Sequence, residues 1–123
     1  SALESRDKRH YSLLKLGMLE YKQAEFVKSN QYFQQLQRYY PGSDLVRFFI
    51  GVNYFHLEKK DQLINKVLTK LDEKSPSRVL LVMALDIAEK KNLKQLEADL
   101  RNLDLSLSLH KEFKSYLLAL LER

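Results

Sequence analysis

The chain has 123 residues, room for one compact domain and too few for two of ordinary size. Glycine (3) and proline (2) are scarce, which excludes turn-rich sandwiches and barrels; the absence of cysteine excludes a disulfide scaffold, a thiolate zinc site and a thiol nucleophile. The formal net charge is +5, but the pairs Lys8-Arg9, Lys59-Lys60 and Lys90-Lys91 have Asp7, Glu58, Asp61 and Glu89 beside them, so the surplus reads as solvated helix surface.

In chain order, seven helices are predicted. The first starts between Ser1 and Asp7 and reaches about Gln23, with Leu13, Leu16, Gly17 and Tyr21 on a broad apolar face. The second covers about Phe26–Tyr40. Tyr32, Phe33 and Leu36 take one side of it, and Asn30, Gln31, Gln34, Gln35 and Arg38 form a wet face. Pro41-Gly42-Ser43 stops it and caps the third, about Asp44–Leu57, which is apolar nearly all round and so calls for cover on several sides. The fourth is expected over about Asp61–Lys74. Ser75-Pro76 is an N-cap followed by proline in the first helical position, and the fifth helix then runs to about Lys90. Asn92-Leu93-Lys94-Gln95 resembles a capping box opening the sixth, to about Leu103. The alternation over Leu103–Leu109 would suit a short strand, but no second strand is there to pair with it, so it reads as a loop. Ser108 is the expected cap of a seventh helix to about Leu121. No apolar run is long enough to span a membrane. Ser1 without a preceding Met and Arg123 directly after an apolar stretch read as the ends of a piece of a longer protein, with any leader, anchor or membrane segment outside it.

The helices fall into pairs that repeat. Leu16-Gly17 recurs as Ile50-Gly51 at a spacing of 34 residues. Tyr32, Phe33, Leu36 and Pro41 match Val67, Leu68, Leu71 and Pro76 at 35, which places one added residue in the turn at Lys59-Lys60. Met83-Ala84 with Leu96, Leu100 and Leu103 forms a weaker third copy. Helix–turn–helix units of about 34 residues are the mark of a solenoid.

Tyr11–Ser43 resembles a tetratricopeptide repeat (TPR). It carries Leu16-Gly17 and Tyr21 in its first helix, Lys22-Gln23-Ala24-Glu25-Phe26 in the place of the family's K-Q-G-D-Y turn, and Tyr32-Phe33 and Pro41 in and after its second. Departures are Leu13 for the usual early aromatic, and Ser29 and Ile64 at the second helix's small-residue position. The resemblance implies an all-α, right-handed solenoid of three hairpins, about 10–43, 44–76 and 77–104, closed by a capping helix over about 108–121. The stretch from Phe33 to Ser43, ending in Tyr40-Pro41-Gly42-Ser43, also resembles the phrase that ends repeats in bacterial envelope TPR proteins, which implies a periplasmic or envelope setting, with the cytoplasm as the alternative.

What the resemblance further implies is a concave groove lined by the first helix of each pair. The first repeat would contribute Tyr11, Leu14, Lys15 and Met18. From the second come Phe48, Phe49, Val52, Phe55 and His56, and from the third Arg78, Leu81 and Leu85. So apolar a wall, if exposed, would take a partner's peptide or amphipathic helix. Alternatively the seventh helix folds back and fills it, or these residues are ordinary core. The family's carboxylate clamp is not expected, because Leu14, Met18 and Phe49 stand at its polar positions.

Catalysis is not expected either. His10, His56 and His110 fall in different units of the chain without a companion ligand at helix-face spacing, no Gly-x-Ser-x-Gly or Gly-rich phosphate loop occurs, and Asp86 is the one carboxylate set in an apolar run. The expected function is protein–protein interaction, as an adaptor, assembly or scaffold module, with no cofactor, no metal and no nucleic acid. A structural spacer or self-association unit is the alternative.

Overall fold

The computed structural model describes residues 2–123, with side chains from residue 8 onward. Seven helices and no strand occur among them. α1 is Ala2–Lys22, α2 Phe26–Tyr39 and α3 Asp44–His56. α4 is composite: an α-turn at Lys60–Gln62, a π-helical stretch at Leu63–Val67 and a 3-10 turn at Leu68–Lys70. α5 is Pro76–Ala88, α6 Leu93–Arg101 and α7 Ser108–Leu121. Each helix packs on the next one in sequence, and α5 packs on both α3 and α7.

α1 and α2 meet at Gly17. A Cβ there would lie 2.6 Å from the ring of Phe33, which is fully buried and stacked on Phe49 with centroids 4.6 Å apart. Gly51 plays the same part on α3, where a Cβ would meet Leu81 at 2.7 Å, Val67 at 3.1 Å and Leu63 at 3.2 Å. The first crossing carries a polar pin as well. Ser29 Oγ donates to the Gly17 carbonyl (2.7 Å), and Asn53 Nδ2 donates to Ser29 Oγ and to Asn30 Oδ1, each at 2.9 Å. Asn30 is therefore a buried link to α3 and not part of the wet face of α2.

Three hairpin turns share one backbone device. Ala24, Glu58 and Lys90 are left-handed, with φ of 61°, 58° and 57°. The N–H of the next residue in each case reaches back five positions: Glu25 to the Glu20 carbonyl, Lys59 to Tyr54 and Lys91 to Asp86. This is the Schellman closure, which usually places glycine at the left-handed position.

Ala24 and Glu58 are 34 residues apart, so the turn at Lys59-Lys60 contains no insertion. The extra residue sits inside α4, as the π stretch Leu63–Val67, where one inserted residue widens the helix instead of breaking it. Thr69 Oγ1 donates back to the Asn65 carbonyl (2.8 Å) across the irregular segment. Leu71 is then extended and buried, which ends the helix at Lys70, short of the expected Lys74. Caps also differ from expectation. Ser43 does cap α3, accepting from Val46 N–H at 3.2 Å. Asn92 forms no capping box; it is left-handed (φ 47°) and Gln95 donates instead to Asp99. Leu107, not Ser108, is the N-cap of α7.

Two consequences can be measured by urea unfolding. Gly17→Ala pushes a methyl into a ring that has no room to retreat and should cost about 1–3 kcal/mol, part of it recovered by adding Phe33→Leu. Glu58→Gly and Lys90→Gly relieve left-handed strain and should each stabilise by about 0.5–1 kcal/mol. Unchanged midpoints would contradict either account.

Candidate functional site

The side chains expected along one groove fall into separate settings. Phe48, Phe49, Val52 and Leu81 belong to the core and are not an open wall. α7 is the reason. Phe113 packs edge-on against Phe48 (5.6 Å) and Phe55 (6.0 Å), His110 edge-on against Phe48 (4.7 Å), and Tyr116 against His56 (5.2 Å). The seventh helix thus rests on α3 as well as on α5 and α6. A cavity of about 70 Å³ lies beside it, bordered by Tyr21, Val52, Glu112 and Tyr116.

Two histidines hold α7 in place. His110 is buried, with Nε2 hydrogen-bonded to Ser77 Oγ on α5 at 2.8 Å. His110 has no hydrogen-bonded carboxylate among the described residues, so the contact is a clamp between helices and lacks the third member of a nucleophile relay. Asp44 and Asp104 border a cavity of about 270 Å³ on its outer side. His56 lies flat on Phe26 (4.5 Å, 12°), with Nε2 at 3.4 Å from the Tyr21 hydroxyl. Burial pushes both imidazoles below their ordinary value. Burial, then the neighbouring Tyr116 and Glu112, pushes the Tyr21 hydroxyl up.

An open part of the expected groove survives between α1 and α3. It is a cleft of about 340 Å³ that brings Tyr11, Leu14 and Phe49 together with Leu45, Leu36 and Tyr40. Tyr11 is 58% exposed, and Lys15 Nζ stands 4.9 Å from its ring centroid. His10 also borders the cleft. It is buried and hydrogen-bonded through Nδ1 to the Tyr40 hydroxyl (2.8 Å), while its Nε2 has no partner among the described residues. Phe55 and Leu85 border a different cleft, about 220 Å³, rimmed by Lys59, Lys60 and Glu89. Hydrogen bonds from Lys60 and then Lys91 hold the Glu89 carboxyl well below the usual range. Met18 and Arg78 are half-buried and border neither cleft.

Sequence reasoning missed one grouping altogether. Arg38, Arg47, Lys66 and Lys70 come from α2, α3 and α4 to a single cleft. The signal was weak because these residues sit singly along the chain, on three different helices, and form no run and no shared helix face.

The clamped histidines set a pH dependence. The unfolded chain binds protons near the ordinary imidazole value of 6.5, whereas the folded rings stay neutral below it. Stability is therefore fully present above that value and is lost as the pH falls through the lower folded values. Urea midpoints taken from about pH 7.5 down to about pH 5.5 should fall, and fall less steeply in His110→Gln and His56→Gln. Parallel slopes in both variants would place the proton uptake elsewhere.

No family model matches the chain, and neither a curated protein nor a solved structure matches it significantly.

Proposed function

We propose that this chain is a TPR-like protein-interaction module with an adaptor, assembly or scaffold role: a right-handed solenoid of three hairpins closed by α7. It binds a partner's amphipathic helix or peptide in the cleft between α1 and α3. The row of contacts α3–α5–α7, the repeated Schellman turn and the paired glycine crossings support the solenoid reading. The observation that carries the binding site is the cleft of about 340 Å³, the part of the expected groove that α7 leaves uncovered. Tyr11 and Tyr40 are exposed aromatic anchors on its rim, and Leu14 and Leu45 give it an apolar floor. Lys15 beside Tyr11 would pair with an acidic residue at the partner's edge. No catalytic role and no cofactor are part of this proposal.

Self-association is the second reading, and Leu16 and Leu19 favour it: they stand 38% and 50% exposed on α1. Sedimentation at two concentrations separates the two readings, because a dimer abolished by Leu16→Glu with Leu19→Glu supports the second.

For the first reading, Leu14→Glu and Leu45→Glu place charge on half-buried cleft positions without entering the core. A copurifying protein should be lost with either variant, by about tenfold or more in affinity, at unchanged helical circular dichroism. Full retention with both overturns the cleft as the binding site.

A further inference from the structure

We infer that the cleft between α2 and α4 is a second docking surface, and that its occupant is an extended acidic peptide segment. The inference rests on the reading of the chain as an interaction module and adds the chemistry of one partner. The cleft measures about 620 Å³ and is bordered by Arg38, Arg47, Lys66 and Lys70, with Gln34, Gln37 and Asn65 between them. No carboxylate borders it among the described residues, and none of the four cations forms an ion pair there. Elsewhere cations do find partners: Lys60 and Lys91 on Glu89, and Arg101 on Glu97 and Glu122.

Two features show that the arrangement is built and not incidental. Arg47 is half-buried and anchored, its guanidinium donating to the Pro41 carbonyl, and its Nε is buried with no partner among the described residues. Asn65 and Lys66 lie within the π stretch of α4, a distortion that recurs at functional sites, while Leu63 and Val67 of the same stretch go to the core.

The lining selects among anions. A single phosphate would engage a fraction of cations spread over three helices. A nucleic-acid strand wants aromatic faces for its bases, and no aromatic residue borders the cleft. Side-chain amides carry a donor and an acceptor each, the pair that an extended peptide backbone presents, and guanidinium and ammonium groups take carboxylates.

The test is fluorescence anisotropy with two labelled probes: a peptide of alternating Glu and Gly about ten residues long, ~33 Å when extended, and an oligothymidylate of equal length. The peptide should bind, more weakly as salt rises, and Lys66→Gln with Lys70→Gln should lower its affinity about tenfold. Lys94→Gln with Lys111→Gln, equal in charge and remote from the cleft, should change it by less than about twofold. Arg47→Lys should also weaken binding, since one ammonium does not replace a planar fork. Equal losses in the two double variants would reduce the effect to diffuse attraction and overturn the inference, as would no binding, or tighter binding of oligothymidylate with the same variant dependence. Leu14→Glu should leave peptide binding unchanged, so failure of the α1–α3 cleft and failure of this one are read separately.

Discussion

The close crossing at Gly17 positions the rest of the molecule. A hydrogen in place of a side chain lets Phe33 reach the axis of α1, and the ring then stacks on Phe49 of α3. Ser29 and Asn53 tie the same point together through the Gly17 carbonyl. The pin is not there for energy alone. Asn53 Oδ1 and Asn30 Nδ2 stay buried without partners among the described residues, at about 1–3 kcal/mol each, so the network offsets little more than its own burial. What it fixes is register, because only one sliding position of three helices satisfies these bonds. The second crossing, at Gly51, has the apolar side chains of Leu63, Val67 and Leu81 as its nearest neighbours, and there α4 slips by one residue. Apolar contacts tolerate such a slip; a hydrogen-bonded pin does not.

Helical class and pairing were legible because apolar periodicity and the Gly17 and Gly51 spacing are properties of the chain itself. What was illegible depended on partners. Asn30 looks solvated by its neighbours Gln31, Gln34 and Gln35, and only Asn53, 23 residues away, makes it a core residue. The change of spacing from 34 to 35 was visible, but its location was not, since a widened helix and a lengthened turn leave the same trace in sequence. The turns themselves were hidden by composition. Scarce glycine argued for few tight reversals, yet Ala24, Glu58 and Lys90 adopt the left-handed geometry regardless, held by the five-back hydrogen bond and the packing on either side.

Candidate binding residues were harder to read than the fold, for a reason visible in α3. A helix that is apolar nearly all round needs several neighbours, and α2, α4 and α5 supply only some of them. α7 supplies another, because its own apolar residues exceed one face: Phe113 and Leu117 are buried while Leu109, Leu118 and Leu120 are half-buried against the core. Phe48 and Val52 were therefore bound to be covered by something. The sequence left a bound partner and the chain's own last helix equally able to do it; the aromatic and imidazole contacts of His110, Phe113 and Tyr116 settle which one does. Exposed apolar surface remains at α1, where no helix among the described residues covers Tyr11.

Charge follows the same logic on the opposite pair of helices. Counted along the chain, the basic pairs at Lys8-Arg9, Lys59-Lys60 and Lys90-Lys91 have acidic neighbours, and the balance looks local there. Folding regroups them. Glu89 draws in Lys60 and Lys91, and Glu97 and Glu122 draw in Arg101, so these carboxylates are spent on the α4–α5 and α6–α7 ends. The cations of α2, α3 and mid-α4 are left facing one another across a cleft lined otherwise by amides. Like charges brought together cost energy in the free protein, more so at low salt. They persist because each sits on a helix whose position is dictated by the buried side: Phe33 and Leu36 on α2, Phe48 and Ile50 on α3, Leu63 and Val67 on α4. A core that sets helix positions without regard to surface charge can hold such a repulsive cluster ready, and an anionic segment that enters the cleft relieves the repulsion as it binds.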